Sequence, residues 1–357
     1  VWTDKCDEQC SNVIELQDAI AKSIATTLAI ELTGEERKRL ARHDTGSADA
    51  YNAYLRGRHF MEKLTPQAGA KSIEYLEEAI RLDPNYGLAY ATLANSYLRY
   101  LDGRLPDEAK QAVAKALEID DTLAEAHAVL GNIRLIEGDW SGAERAFIRA
   151  RELDPNYQRF HFDYGHYLRL MKRFEESVAE SKRVLDIDPL SPLYNRQLAL
   201  ALYFARRYDE AIEQCQKTLE LEPNMATAYN WLWRAYEQKG QYDQSVEAFL
   251  KFYGPIKQQG PEAVAAFRET YTKSGWKGFW RKVLDLHLEQ AKRGVNRHGL
   301  AENYARLGER DQALFWLEKA IEQRQGEITI HIRNPFWDGY RSDPRFAELV
   351  RRMGLEP

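Results

Sequence analysis

Glu152-Leu153-Asp154-Pro155-Asn156 is the clearest signature in this chain, because closely similar stretches end in Pro189 and in Pro223. The three prolines are equally spaced, and other columns of the sequence recur at the same interval. Small residues stand at positions 131, 165 and 199, and aromatic residues stand at positions 140, 174, 208 and 242. Because several independent columns share one period, the chain contains an internal repeat.

Each column has a physical reason if the repeat is a pair of packed helices. Small residues on the first helix, such as Gly165, face small residues on the second, such as Ser177, so that the helices can approach closely. Proline then ends the second helix, since it cannot donate a backbone hydrogen bond and clashes with the preceding turn. The pattern therefore predicts two antiparallel helices in each repeat.

This pattern resembles the tetratricopeptide repeat, a pair of antiparallel helices with a period of about 34 residues. The resemblance implies an all-α fold: a right-handed superhelical solenoid of antiparallel helix pairs, with atypical helical caps at both ends. The expected division is an N-terminal helical cap or remnant of a preceding α/β domain (1–47), six repeat units (48–253), a divergent helical pair (254–293), a seventh unit (294–325) and a C-terminal capping segment (326–357).

The sixth unit departs from the pattern of the others. Trp233 occupies the position of the small residue, and Gly254-Pro255 is expected to cut the second helix. We expect the bulky tryptophan to push the two helices apart and to change the pitch of the superhelix, with a pocket as the alternative. Beyond this unit, Gly260-Pro261 predicts a helix that runs towards Ser274, and a second helix is predicted over residues 276–293.

Both ends of the chain have helical patterns of their own. Residues 13–32 carry apolar side chains at helical spacing, and Thr33 with Glu36 has the sequence of a capping box. Near the other end, Asp343-Pro344 predicts the start of a helix that stops at Gly354. These terminal helices are expected to cover the open ends of the array.

Short segments at the two ends also resemble a family of bacterial multidomain signalling proteins. They are Trp2-Thr3-Asp4, residues 14–21, Ser342-Asp343-Pro344-Arg345-Phe346 and Met353-Gly354-Leu355. The resemblance implies a regulatory or sensor tail that follows an output module, which is a winged-helix DNA-binding domain, a serine/threonine kinase domain or a cyclase domain. Since the chain starts at Val1 without an initiator methionine, we expect a piece of a longer protein. We also expect a cytoplasmic location.

The composition and the scattered reactive residues argue against several classes of function. The formal net charge is −5, and no apolar run approaches the roughly 18 residues of a transmembrane helix. We therefore expect neither direct nucleic-acid binding nor membrane insertion. The cysteines and histidines show no metal-ligand spacing, and no phosphate-binding loop occurs, so we expect no enzyme, no catalytic residue, no cofactor and no metal. His127 and His161 stand where the repeat has an aromatic residue, which favours a packing role.

Function is expected in the concave groove that the first helices of the units line. By the register of the repeat, the groove-facing residues are Asn95, Asn132, Arg159, Phe162, His166, Arg169, Arg196, Tyr203, Asn230 and Arg234. Arginine pairs with carboxylates, asparagine hydrogen-bonds a peptide backbone, and aromatic side chains supply anchoring area. We expect the groove to bind a protein or peptide segment with acidic and apolar residues, or the protein's own missing N-terminal domain.

Self-association is the alternative function, and it would produce a homo-oligomer. Four tryptophans of the C-terminal third are expected to be exposed and to form the interface: Trp276, Trp280, Trp316 and Trp337. The two hypotheses therefore place the working surface on different parts of the chain.

Overall fold

The computed structural model describes residues 45–63, 65–100, 105–256, 260–291, 297–322 and 332–356. Within these residues the regular structure is helical, and no strand occurs. The predicted N-terminal helix, its capping box and the cysteines Cys6 and Cys10 lie outside the described residues. The chain divides into two compact units, residues 1–137 with 145–154, and residues 138–144 with 155–357.

The first unit consists of consecutive helix pairs. Its helices are α1 (Ala48–Met61), α2 (Pro66–Leu82), α3 (Gly87–Tyr100), α4 (Asp107–Ile119), α5 (Ala124–Glu137) and most of α6 (Trp140–Leu153). Close approach within a pair depends on glycine: a Cβ atom added to Gly57 of α1 would lie 2.6 Å from Cγ of Leu76 in α2. Neighbouring pairs are joined through polar groups as well, since the hydroxyls of Ser72 and Ser96 lie 3.1 Å apart in the buried core.

The second unit continues the pairs and then changes character. Its helices are α7 (Gln158–Leu170), α8 (Phe174–Ile187), α9 (Pro192–Phe204), α10 (Tyr208–Leu221), α11 (Ala226–Gln238), α12 (Tyr242–Ile256), α13 (Pro261–Ala291), α14 (Arg297–Leu307), α15 (Arg310–Glu322), a 3₁₀ helix (Pro335–Tyr340) and α16 (Pro344–Arg352). We call residues 332–356, which include the 3₁₀ helix and α16, the C-terminal segment.

The helix boundaries reproduce the period of the sequence. First helices begin at residues 124, 158, 192 and 226, and second helices begin at residues 140, 174, 208 and 242. Every step in both series equals the spacing of the three prolines. The helical array predicted from the repeated columns is therefore confirmed.

The turn inside each of these pairs contains one residue with a left-handed backbone. The residues are Gly138, Lys172, Arg206 and Gly240, again one repeat period apart, with φ values of 78°, 60°, 64° and 70°. Glycine adopts this conformation without a steric penalty, whereas a residue with a Cβ atom is strained there. Two of the four turns therefore carry local strain at a lysine or an arginine.

A second column fixes the connection from one pair to the next. His127, His161, Asn195 and Tyr229 recur once in each repeat, and each side chain binds the backbone carbonyl six residues earlier, at distances of 2.8 to 3.3 Å. The two histidines, for which a packing role is expected, therefore also hold the turn that precedes the first helix. Since three different side-chain types make the same contact, the column preserves a hydrogen bond rather than a residue.

Trp233 does not separate the helices of the sixth pair, contrary to the expectation from its size. The hydroxyl of Ser245 in α12 donates to the carbonyl of Trp233 at 2.8 Å, as Ser177 in α8 donates to the carbonyl of Gly165 at 3.0 Å. The Trp233 ring packs against both Phe249 of α12 and Trp280 of α13, with ring centroids 5.5 and 5.6 Å away. The bulky side chain therefore fills space next to the pair.

Two predictions on helix ends have different outcomes. Gly254-Pro255 does not cut α12, which continues to Ile256, because a proline in the last turn disturbs only the end of a helix. The predicted division of the following region is confirmed, since Gly275 interrupts α13 with a φ of 62°. The predicted final helix is also confirmed, because the Asp343 side chain caps α16 by accepting from the backbone N–H of Arg345. No helix among the described residues combines the length and the apolar character needed to cross a membrane.

Candidate peptide-binding face

The first helices of the second unit, α7, α9 and α11, carry most of the residues predicted to bind a peptide, and we call the surface that these residues form the first-helix face. Phe162, His166, Arg196 and Asn230 are partly buried there. Arg169, Tyr203 and Arg234 are almost fully buried. The side chain of Arg159 lies outside the described part of the chain. Asn95 (buried) and Asn132 (partly buried) belong to α3 and α5 of the first unit.

The C-terminal segment covers the first-helix face on α7 and α9. The hydroxyl of Tyr203 donates to Oδ1 of Asn334 at 2.6 Å, and Nε of Arg333 donates to the carbonyl of Leu170 at 2.9 Å. Beside them, Nε and Nη2 of Arg206 bind the two carboxylate oxygens of Asp338 at 2.8 and 2.7 Å. These contacts join repeat residues to a distant segment outside the repeats, so no local sequence pattern could have predicted them.

The same segment has an apolar core of its own with α15. Trp337, Phe346 and Leu349 pack with Leu314 and Leu317 in one buried cluster. This burial contradicts part of the prediction for self-association, which requires exposed tryptophans. Trp280 and Trp337 are buried, and Trp276 and Trp316 are partly buried. The indoles of the predicted interface are therefore occupied, in whole or in part, inside the chain.

Ion pairs on the outside hold the C-terminal segment to α15. Arg310 donates to Asp343 at 3.0 Å and to the carbonyl of Gly339 at 3.2 Å, while Arg345 donates to Asp311 at 2.7 Å. Exposed pairs of this kind each contribute about 0–1 kcal/mol. The buried apolar contacts therefore dominate the attachment of the segment to α15.

On α11, the first-helix face meets α14 through a buried network of opposite charges. We call Arg234, Glu237, Glu302 and Arg306 the charge network. Nε and Nη2 of Arg306 donate to the two carboxylate oxygens of Glu237 at 2.6 and 2.9 Å, and Arg234 donates to Glu302 at 3.1 Å. Burial lowers the pKa of Arg306, but Glu237 and Glu302 outweigh it, so that the pKa is raised. Two cations and two anions are therefore matched.

Aromatic rings complete the surroundings of the charge network. The guanidinium carbon of Arg306 lies 4.4 Å from the ring centroid of Trp280, 5.0 Å from that of Trp233 and 4.3 Å from that of Phe336. Arg234 lies over Trp233 at 4.6 Å. A cation over an aromatic face gains about 0.5–2 kcal/mol, so the sixth pair is tied to the C-terminal third by charge and stacking together.

A second group of basic residues lies where the C-terminal segment meets α7 and α9, and its charges are not matched. We call His166, Arg169, Arg196 and Arg333 the cationic cluster. Nη1 of Arg169 donates to the hydroxyl of Ser177 at 3.2 Å. Within the described part of the chain, no carboxylate forms an ion pair with the three arginines of the cluster. Glu356 acts on Arg333 without forming an ion pair with it, so positive charges still outnumber negative charges at the cluster.

The pKa shifts of the cationic cluster express this excess. Burial and the neighbouring Arg196 lower the pKa of Arg169 to about 9. Burial and Arg341 lower the pKa of Arg333 to about 10. Burial and then Arg169 lower the pKa of His166 to about 3, which keeps this imidazole neutral at pH 7. Every shift favours loss of a proton, as expected where cations lack anions.

The sequence predicts the residue that each contact has on the first-helix face, but it does not predict the partner of that residue. The register places Arg169, Tyr203 and Arg234 on the correct face, but it does not single out their partners Arg333, Asn334 and Glu302. The available signal is indirect, since buried arginines on a first helix need some counterpart. Groups of three or more His, Cys, Asp or Glu side chains arranged for a metal ion do not occur among the described residues.

The comparison with family models matches residues 129–192 and 196–264 to the tetratricopeptide repeat. These residues form tetratricopeptide repeats within an all-α array of helix pairs. Repeats of this class generally act as non-catalytic scaffolds that bind protein or peptide partners.

Curated relatives share a part of the chain. Transcriptional regulator HilA of Salmonella typhimurium is 27% identical over 141 residues, which cover 38% of this chain and 26% of the relative. Putative adenylate cyclase 3 of Rhizobium meliloti is 23% identical over 126 residues, which cover 34% of this chain and 22% of the relative. The chain thus spans about a quarter of the length of the curated relatives it matches. The predicted resemblance to bacterial regulators is confirmed at this level.

Solved structures include many similar helical arrays. A thermophilic TPR protein of Thermus thermophilus is 19% identical, with 52% of this chain and 98% of that chain covered and a TM-score of 0.45.

Proposed function

We propose that this chain is a protein-interaction scaffold that binds a polypeptide segment with acidic and apolar residues on the first-helix face. In this proposal it is the regulatory or sensor part of a bacterial signalling protein, with a cytoplasmic location. The relatives named as a transcriptional regulator and a putative cyclase support such a role, since each carries a region similar to this chain.

One observation carries the proposal: the first-helix face already holds a polypeptide, which is the chain's own C-terminal segment. Residues 333–338 lie on α7 and α9 and are bound through a tyrosine hydroxyl, an arginine pair and a backbone carbonyl. These are the kinds of group that a TPR surface would offer to a separate peptide. These contacts support the proposal that the face can bind a peptide chain.

Under this proposal the predicted binding residues differ in their burial and in the ion pairs that they already form. Arg196 is partly exposed and has no ion-pair partner among the described residues, so it is our first candidate to meet a carboxylate of the partner. Arg234 already pairs with Glu302, so we do not propose it as a direct contact. Phe162, Asn230 and Asn132 remain candidate contacts, and Asn95 is a weaker one because it is buried.

Selection from a random displayed library of short peptides tests the proposal on the full chain. Peptides that carry Asp or Glu next to apolar residues should be enriched, and their dissociation constants can be measured by calorimetry. Arg196→Gln should weaken binding about tenfold or more, because an arginine–carboxylate hydrogen bond contributes about 1.5–3 kcal/mol. Arg183→Gln is the matched control, since Arg183 lies exposed on the second helix α8.

Equal binding by both variants would place the partner elsewhere, and failure to enrich any peptide would contradict a peptide-binding function. The division of the chain into residues 1–47, 48–253, 254–293, 294–325 and 326–357 also remains our proposal. Self-association is less favoured, because burial of Trp280 and Trp337 removes part of its predicted interface.

A further inference from the structure

The C-terminal segment places a positively charged residue on a part of the first-helix face that is itself positively charged. The side chain of Arg333 lines a narrow gap together with His166, Arg169, Leu170 and Phe204. Arg333 is buried, as is Arg169. A cation therefore covers a surface that is itself cationic.

Polar groups at this contact are left without hydrogen bonds. Nη1 of Arg333, Nδ2 of Asn334 and both amide atoms of Gln197 are buried and have no partner among the described residues. Gln197 lies near Arg169: a Cβ atom added to Gly165 would be 3.9 Å from Nε2 of Gln197 and 3.6 Å from Nη1 of Arg169. A buried polar group without a partner costs about 1–3 kcal/mol, and an unmatched charge costs more. A carboxylate at this place would accept from these donors.

The segment can leave α7 and α9 without losing its own core. Its large apolar side chains, Trp337, Phe346 and Leu349, are buried mainly against α15. Its specific contacts with α7, α9 and the turn after α9 are polar, made by Arg333, Asn334 and Asp338. Separation on this side loses the contacts of the cluster with Met171 and Trp140 and the contact of Phe336 with Arg306.

We propose that residues 332–340 are an intramolecular occupant of the first-helix face, and that an acidic peptide displaces them by placing a carboxylate against Arg169 where Arg333 lies. This inference rests on the proposed function and adds its regulation. The exchange replaces a contact between like charges by one between opposite charges. A partner without acidic residues gains no such advantage over the C-terminal segment.

Two substitutions in the segment should change peptide affinity in opposite directions. Asp338→Asn removes the pair with Arg206 and weakens the covered state, so that the peptide binds about threefold to tenfold more tightly. Arg333→Glu brings a carboxylate to Arg169 within the chain, so that the peptide binds about tenfold more weakly. Arg333→Met removes the positive charge that faces Arg169. It should also weaken peptide binding, but less than Arg333→Glu does.

Asp311→Asn is the control, because it removes the exposed pair with Arg345 on the other side of the segment and should leave affinity unchanged. The probe is a fluorescein-labelled peptide of Glu-Leu-Glu-Phe repeated three times, with its Lys-for-Glu counterpart, measured by fluorescence anisotropy on the full chain. Amide hydrogen exchange of residues 332–340 is followed at the same time. The acidic peptide should accelerate this exchange, and the basic peptide should not.

The outcomes separate this inference from the proposed function. Displacement is supported if the acidic peptide binds Asp338→Asn more tightly than the wild type and binds Arg333→Glu and Arg333→Met more weakly. It is also supported if the peptide accelerates amide hydrogen exchange in residues 332–340. The inference is overturned if the acidic peptide binds all variants equally, leaves the exchange unchanged, or fails to bind Asp338→Asn while library-selected peptides bind the chain. If library selection also enriches no peptide, the proposed function is wrong as well.

Discussion

The charge network around Arg306 and the cationic cluster around Arg169 are two buried arginine sites of the same unit, and they are built in opposite ways. In the charge network, Arg306 and Arg234 face Glu237 and Glu302, and each guanidinium also lies over an aromatic ring. In the cationic cluster, Arg169 and Arg333 share one narrow space with His166, and their acceptors among the described residues are a hydroxyl and a carbonyl. Both sites hold a buried guanidinium nitrogen without a hydrogen bond among the described residues, Nη1 of Arg234 and Nη1 of Arg333, but only the first site has ion pairs for its cations.

This difference indicates which contact of the C-terminal third is structural. A matched and hydrogen-bonded network fixes α14 on α11, because breaking any pair leaves a buried charge alone. A cluster of cations gives no such penalty when it is opened to water or to an anion, and instead gains solvation. We infer that the contact between α11 and α14 is structural, while the contact of Arg333 with α7 is exchangeable.

The largest effect is expected at the charge network. Arg306→Met should lower the free energy of unfolding by about 3–5 kcal/mol, because Glu237 and Glu302 are left buried with one cation between them. The measurement is the urea midpoint followed by circular dichroism. Arg268→Met is the matched control, since Arg268 makes the same two-bond contact with Glu247 in exposed positions. Its effect should stay below about 1 kcal/mol. Equal losses in the two variants would show that the charge network is not special.

The helices could be predicted from the sequence because their cause is local. Prolines, small residues and aromatic residues recur once in every repeat, and each column acts within one helix pair. Trp233 shows the limit of this reasoning. Its size is evident from the sequence, but its direction depends on Trp280, which lies in another helix and belongs to no repeat column. The side chain turns towards α13, and the pair stays closed.

The binding face could be predicted only in part, for a related reason. The repeat register places Arg169, Tyr203 and Arg234 on the first-helix face, since every repeat presents its first helix alike. It says nothing of residues 332–340, which follow no repeat and for which the sequence predicts only a closing cap. Whether an arginine on this face is free or paired depends on that segment. Register therefore identifies the surface, and only the tertiary contacts identify its occupant.

The second effect should have the opposite sign. Arg169→Met should raise the free energy of unfolding by about 1–2 kcal/mol, since removal of an unmatched buried charge outweighs one lost hydrogen bond to Ser177. The Ser177 hydroxyl keeps its bond to the carbonyl of Gly165. Lys217→Met, at an exposed site on α10 with an exposed partner, should change stability by less than about 0.5 kcal/mol. Destabilisation by Arg169→Met would mean that the cluster is matched by an anion after all.

The smallest effect is a dependence of stability on pH that comes from His166. Its pKa is lowered to about 3 in the folded chain, while an unfolded histidine titrates near pH 6.5, so the unfolded state binds the extra proton between these values. Stability should therefore fall as the pH is lowered from 7 to 5, by about 1 kcal/mol after allowance for the partial exposure of the ring. His166→Gln should lose this part of the slope when urea midpoints are measured at both pH values. The other ionisable groups are common to both proteins and cancel in the difference. Addition of the acidic peptide should reduce the slope in the wild type alone, because a carboxylate beside Arg169 raises the pKa of His166 towards its usual value.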